Sequence, residues 1–354
     1  MNNQLTFIDL FAGCGGLSKG FEDAGFKGVG FVENMDSAIE THKSNFPWSK
    51  LLGKDITQIS DSTIEDMKKN IGDIDCIIGG PPCQGFSLMG KRNSHDARNS
   101  LFLDFLRFTK ILKPKCIMLE NVRHLLTMKT KDGEKVPDEI IRKFHEIGYN
   151  IDFKTLNAKN FGVPQSRERV FFIGYRNDLN KSIVFPKQTH GDPNQQSLIT
   201  EHLKPHVTFG DATKDLEFLE SGEKSNIDPM HVAVNHPERC IKWLKNVPEG
   251  QSAHKNEDPN LRPSSGYNTT YQRMTWDKPS ATIGTVFNQI SSHHTVHPKA
   301  TRSITTREAL RCQTFSDDFV WKGTMTLIRK QIGNAVPPLL AKKLAEEIFK
   351  NLKE

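Results

Sequence analysis

A chain of 354 residues with 36% hydrophobic content can bury one large core and a smaller one, which excludes a tail, a fibre or a disulfide-stapled miniprotein. No run of eighteen apolar residues occurs, and the N-terminal MNNQLTFIDLF lacks the charged start, long apolar stretch and cleavage site of a signal peptide. A cytoplasmic protein with no membrane partner is expected. Six cysteines (Cys14, Cys76, Cys83, Cys116, Cys240, Cys312) show no C-x-x-C spacing, so reduced thiols are expected rather than a disulfide framework or a structural zinc site. The net charge of +6 suits a polyanionic partner. Residues 176–300 hold fourteen Lys/Arg against fourteen Asp/Glu, so the surplus lies in the flanks and the middle is left freer for reading bases.

In chain order, the first 175 residues alternate short apolar runs with helical patterns, the signature of a mostly parallel sheet with helices on both faces. LTFIDLF (5–11), GVGFVE (28–33), IDCIIGG (74–80), KCIMLEN (115–121) and RVFFIGYR (169–176) read as strands. LSKGFEDAGF, DSAIETHKSNF and SLFLDFLRFTKILK read as amphipathic helices. From about 177 to 300 the texture turns to Pro, Asn, Ser and His, which fits a smaller irregular domain. TTREALRCQTF and AVPPLLAKKLAEEIFKNL return to helical spacing, the latter started by Pro337 and Pro338. The expected division is 1–176, 177–300 and 301–354.

Four motifs carry chemistry. In FIDLFAGCGGLSKGF an apolar strand runs through Asp9 and Phe11 into Gly13, Gly15 and Gly16 before a helix, a turn that lets backbone approach a ligand closely. Ser18 stands where the dinucleotide fingerprint wants Gly or Ala, which favours a nucleoside ligand other than NAD. Glu33 and Asp55, after the second and third strands, are either ribose-binding carboxylates or ordinary cap residues. In GGPPCQGFS, Pro81 and Pro82 stiffen the loop that carries Cys83 at the carboxyl edge of the sheet, where α/β enzymes place their sites. The other five cysteines lie in apolar or periodic settings and read as core filler. LENV puts Glu120 at the end of a strand, beside the Cys83 loop if the two strands are neighbours. In QSRER, Arg167 and Arg169 alternate, either as surface charges or as a pair that holds a pyrimidine carbonyl or a phosphate. HHTVH (293–297) reads as exposed or DNA-facing histidine rather than a metal site.

These blocks, FAGCGG, GGPPCQGFS, ENV, QSRER, a variable region, RSITTREALRCQTFSDDF and QIGNAVPPLLA, taken in that order, resemble the DNA cytosine-5 methyltransferase family over nearly the whole chain. Departures are minor: Cys312, Thr314 and Ser316 stand where the family's R-L-Q-G-F-P-D block has apolar, Gly and Pro residues. The resemblance implies a Rossmann-like fold that binds S-adenosylmethionine. Its pocket is implied to be lined by Asp9, Phe11, Ala12, Gly13, Gly15, Gly16, Leu17, Glu33, Asp55, Ile56, Pro81 and Leu101, with Asn334 and Ala335 bracing it. Cys83, Glu120, Arg167 and Arg169 are implied to be catalytic. Cys83 attacks carbon 6 of a flipped-out cytosine, Arg167 lowers the thiol's pKa, and Glu120 serves ring nitrogen 3. Residues 177–300 become the target-recognition domain. Gln84, Ser87 and Arg98, on a Gly- and Ser-rich loop, are expected to touch double-stranded DNA, and Arg273 and Thr282 to read it. The tRNA cytosine-5 branch is the alternative; it typically continues Pro-Pro-Cys-Gln with Pro-Phe-Thr, whereas here Gly85, Phe86 and Ser87 follow, which favours DNA. A compact monomer of prokaryotic or phage type is implied, of a kind often paired with a restriction endonuclease.

Overall fold

The computed structural model describes residues 4–82, 100–130, 132–192, 203–264, 267, 269–291 and 294–354. They divide into two compact units. The first comprises Met1–Leu156, Glu168–Lys187 and Ala341–Glu354, the second Asn157–Arg167 and Gln188–Leu340. This differs from the expected division: 157–167 leaves the first unit, 177–187 joins it, and 301–340 belongs to the second. The reason lies in long-range bonds. Gln165 bonds Gln313 and the Cys312 carbonyl, and His231 bonds Thr305, so these segments are tied together inside the second unit.

The first unit is built on a seven-stranded sheet of β1 (Thr6–Leu10), β2 (Lys27–Val32), β3 (Lys50–Gly53), β4 (Cys76–Gly79), β5 (Cys116–Val122), β6 (Tyr149–Asn157) and β7 (Glu168–Arg176). The strand order is β3-β2-β1-β4-β5-β7-β6. β1 pairs in parallel with β2 and β4, β2 with β3, and β4 with β5, while β7 runs antiparallel to β5. The apolar runs become central strands because both faces are buried, as in β4, where every residue is buried. The two strands to which the sequence reading assigns no range, β3 and β6, lie at the two sheet edges, and β6 alternates buried Tyr149 and Ile151 with exposed Asn150 and Asp152.

Helices α1 (Gly16–Asp23), α2 (Asp36–Asn45), α3 (Asp61–Ile71), α4 (Ser100–Leu112) and α5 (Val136–Glu146) complete the layers. Phe102, Phe105 and Phe108 of α4 join the main core, and the Phe102 and Phe105 rings lie edge-on to Phe144 of α5 at 6.0 and 6.3 Å. The second unit carries α6 (Phe209–Thr213), α7 (Glu238–Leu244), α8 (Thr306–Cys312) and α9 (Met325–Asn334). The last helix, α10 (Pro338–Lys353), packs on α1 so closely that a Cβ on Gly20 would stand 2.4 Å from the Ala341 Cβ.

The order of strands reverses at β1, with β2 on one side and β4 on the other, which is where open α/β sheets bind ligands. The register aligns Leu10 with Val32 and Gly79, and Gly79 with Leu119. Phe11, Glu33, Gly80 and Glu120, one residue further on in each case, therefore share one row at the carboxyl edge.

Candidate active site at the carboxyl edge of the sheet

At this row the chain turns sharply after β1. Phe11 adopts a left-handed φ of 65°, rare for a residue with a side chain, and Gly13 and Gly15 follow at 56° and 94°. Glycine is required at 15, where a Cβ would stand 2.5 Å from the Phe46 ring. At Gly13 a Cβ would meet nothing within 4 Å, so the turn faces open space. Glu33 ties this turn down: one carboxylate oxygen accepts the Gly13 N–H at 2.8 Å and the other the Met35 N–H at 2.8 Å. Each oxygen retains a lone pair for a ligand hydroxyl. An anchored carboxylate beside a turn left open at Gly13 fits the ribose end of S-adenosylmethionine.

Other expected cofactor residues fall differently. Asp9 is fully buried, and its carboxylate accepts the Ser18 hydroxyl at 2.6 Å, which also lies 3.1 Å from the His42 ring. Burial pushes Asp9 up to about 7 and His42 down to about 3. Asp9 thus holds α1 under the turn through one carboxylate oxygen, the other being buried without a hydrogen-bond partner. The Ile56 side chain belongs to the main core. Asp55 caps the short 56–58 turn through Thr57, as the cap reading allowed, and remains exposed. Ala12 and Leu17 are buried at 8% and 6% exposure, Gly16 opens α1, and Leu101 lies partly buried on α4. Asn334 and Ala335 end α9 in the second unit, the first exposed and the second buried.

β4 and β5 are neighbours, and a Cβ on Gly80 would stand 3.1 Å from a Glu120 carboxylate oxygen. Glu120 therefore lies against the start of the Pro81–Pro82 loop. Asn121 fixes that loop by donating to the Pro81 carbonyl at 2.8 Å. Sequence reasoning passed over this residue, although a buried Asn ending an apolar strand is a visible signal. Glu120 forms an ion pair with Arg169 at 2.9 Å, the two side chains being 12% and 14% exposed. Cys83, Gln84, Ser87 and Arg98 lie outside the described residues. The five other cysteines are free and buried. Burial pushes the thiols of Cys14 and Cys312 up to about 12, which makes them poor nucleophiles.

The two QSRER arginines separate in role. Arg167, only 1% exposed, donates to the Ile283 and Gly333 carbonyls, both at 2.9 Å. Its two terminal nitrogens each donate to main chain, so Arg167 braces the second unit. It holds a contact so close that a Cβ on Gly333 would stand 2.4 Å from the Gly284 backbone. Arg273, expected to read bases, is 3% exposed and donates to the His297, Ala300 and Leu244 carbonyls at 2.8, 2.6 and 2.9 Å. His297, expected at the surface, is 3% exposed and accepts the Lys299 and Ala300 N–H groups. Thr282 is exposed and donates to the Ser166 carbonyl at 2.6 Å.

Comparison with known proteins agrees with this geometry. The family model described as C-5 cytosine-specific DNA methylase matches residues 5–350. Type II methyltransferase M1.HphI of Haemophilus parahaemolyticus is 38% identical over 98% of this chain and 87% of its own length. Type II methyltransferase M.DdeI of Desulfomicrobium norvegicum is 36% identical over 98% and 90%. A crystal structure of a putative DNA modification methyltransferase encoded within an E. coli prophage superposes with a TM-score of 0.75 at 26% identity, covering 99% of this chain and all of the other. With the match spanning nearly every residue, the chain belongs to the C-5 cytosine-specific DNA methylase family.

Proposed function

We propose that Cys83 is the nucleophile of this DNA cytosine-5 methyltransferase and that the Glu120–Arg169 pair serves the pyrimidine ring. The observation that carries this reading is that pair, nearly buried, set against Gly80 at the start of the loop leading to Cys83. Carbon 5 of cytosine is too weak a nucleophile to accept a methyl group until a thiolate has added to carbon 6. The Cys83 sulfur forms that bond. Glu120 holds a proton at ring nitrogen 3, so the electron pair displaced onto the ring is stabilised, and Arg169 keeps the Glu120 carboxylate oriented. When bound, S-adenosylmethionine supplies an electrophilic sulfonium methyl group. Removal of the carbon 5 proton then expels the Cys83 thiolate and restores the ring. Phe11, Gly13, Glu33 and Asp55 hold the cofactor in this reading, and the second unit recognises a DNA sequence that a cognate restriction endonuclease also targets.

Transfer of labelled methyl groups to duplex DNA, with bisulfite sequencing of DNA from expressing cells, tests the reading; transfer to tRNA with none to duplex DNA would overturn it. Glu120→Gln is expected to lower kcat by about 10²–10⁴-fold, the range of a general acid–base contribution, while cofactor and DNA affinities hold. Arg169→Ala should fall in the same direction. If Glu120→Gln retains full kcat, Glu120 has no proton-transfer role. Glu33→Ala is expected to weaken S-adenosylmethionine binding by about tenfold or more in calorimetry, since it removes a charged acceptor and unties Gly13. Undiminished affinity would count against the pocket assignment.

A further inference from the structure

α4 is more than a packing helix. Leu101, Asp104 and Arg107 recur every three residues along it, so their side chains share one face. Beneath that face runs the 54–60 loop, which leaves β3 at the same carboxyl edge as Glu33, since Val32 and Gly53 are in register. All five N–H groups of Arg107 are used there. Nη1 donates to the Ile59 carbonyl at 2.6 Å and to Asp61 at 2.9 Å, Nη2 donates to the Ile56 carbonyl at 3.0 Å and to Asp104 at 2.9 Å, and Nε donates to Asp104 at 3.1 Å. The second Asp104 oxygen is buried with no partner. Burial first, and then the like charge of Asp55, push Asp104 up against the lowering pull of Arg107. The carboxylates of Asp104 and Asp55 therefore face one another here, and the guanidinium ties Asp104 and α4 to the loop through the Ile56 and Ile59 carbonyls.

We infer that Arg107 is a positioning residue for S-adenosylmethionine, clamping the loop that carries Asp55 and Ile56 against the α4 face that carries Leu101, and so setting the width of the adenosine side of the pocket. The inference rests on the pocket assignment proposed above. A planar fork that spans two carbonyls and two carboxylates has no substitute in lysine, whose single ammonium has three N–H groups and no fork. Loss of the clamp frees the loop and leaves Asp104 facing Asp55 without a counter-charge.

Arg107→Met is expected to raise the cofactor Kd and KM by about tenfold, with kcat at saturating cofactor within about twofold of the parent. Arg107→Lys, which keeps a positive charge beside Asp104, should raise KM by about threefold and speed hydrogen exchange of the 55–60 amides. A purely structural role would instead lower the active fraction, so that kcat falls at constant KM. That pattern, or a lysine variant with unaltered cofactor Kd and unaltered loop exchange, overturns the inference. If Glu33→Ala weakens cofactor binding and both Arg107 variants do not, the clamp is wrong while the pocket stands. If none of the three does, the pocket assignment itself fails.

Discussion

Duplex DNA carrying 5-fluorocytosine at the target site is expected to become covalently attached to the enzyme, and only in the presence of S-adenosylmethionine. Thiolate addition at carbon 6 and methylation at carbon 5 proceed with fluorine in place of hydrogen, but the final elimination requires loss of a cation from carbon 5. A proton leaves that way and fluorine does not. The adduct should survive a denaturing gel and map by peptide mass to Cys83. Cys83→Ser should form none and should lose all measurable transfer, because a serine hydroxyl with no base to activate it is a far poorer nucleophile than a thiolate. The other cysteines make the mapping decisive. All five are buried, and burial pushes the thiols of Cys14 and Cys312 up to about 12 and raises that of Cys76, so these three hold no reactive thiolate near neutral pH. An adduct on any of them, or one formed by Cys83→Ser, removes the basis of the mechanism.

The second large effect concerns stability. In the second unit Arg302 and Glu308 form a two-pronged ion pair at 2.8 and 2.9 Å, with both side chains at most 3% exposed. Glu308 also accepts the Thr305 N–H as half of the capping box that starts α8, and Arg302 donates to the Leu219 carbonyl. Arg302→Met strands a buried carboxylate and is expected to cost about 3–5 kcal/mol of stability, read as a lower urea midpoint. Pairing it with Glu308→Leu should recover much of that loss, since no charge is then left unpaired. A single variant as stable as the double would show that leaving the Glu308 carboxylate unpaired costs little.

The same cluster sets an acid limit. Burial alone would raise Glu308, but the Arg302 guanidinium and its hydrogen bonds hold it down at about 2, against an ordinary 4.5. Its contribution is present above pH 4.5 and is lost as pH falls towards 2. Burial lowers His297 from 6.5 to about 4, so the unfolded chain takes up that proton first. The stability held by neutral His297 drains as pH falls from 6.5 through 4, the same direction as for Glu308.

Much of the first unit was legible because its signals are local. An apolar run ending in a glycine turn, two prolines before a cysteine, and a carboxylate ending a strand each declare a role within a few residues. β1, β2, β4, β5 and β7 follow that logic, and the strand neighbours that bring Glu120 to Gly80 are those a parallel sheet requires. β3 and β6 lie at the sheet edges and carry no continuous apolar run, β3 being only four residues long and β6 having one wet face.

The sequence by itself determined the chemistry: a cysteine loop, a strand-end glutamate and a glycine turn in one order, in a chain that belongs to a family of cytosine methylases. Only the tertiary structure decided which charges meet beside the glycine and proline turns and which bond distant main chain. Arg167 and Arg169 look equivalent two residues apart, yet Arg169 meets Glu120, while Arg167 donates to carbonyls 116 and 166 residues away. Arg273 is likewise taken up by carbonyls, and Arg107 by a loop about fifty residues earlier in the chain. A guanidinium carries five donors whatever its neighbours, and whether they meet a ligand or a main-chain carbonyl depends on contacts between distant segments, which no local pattern of residues encodes.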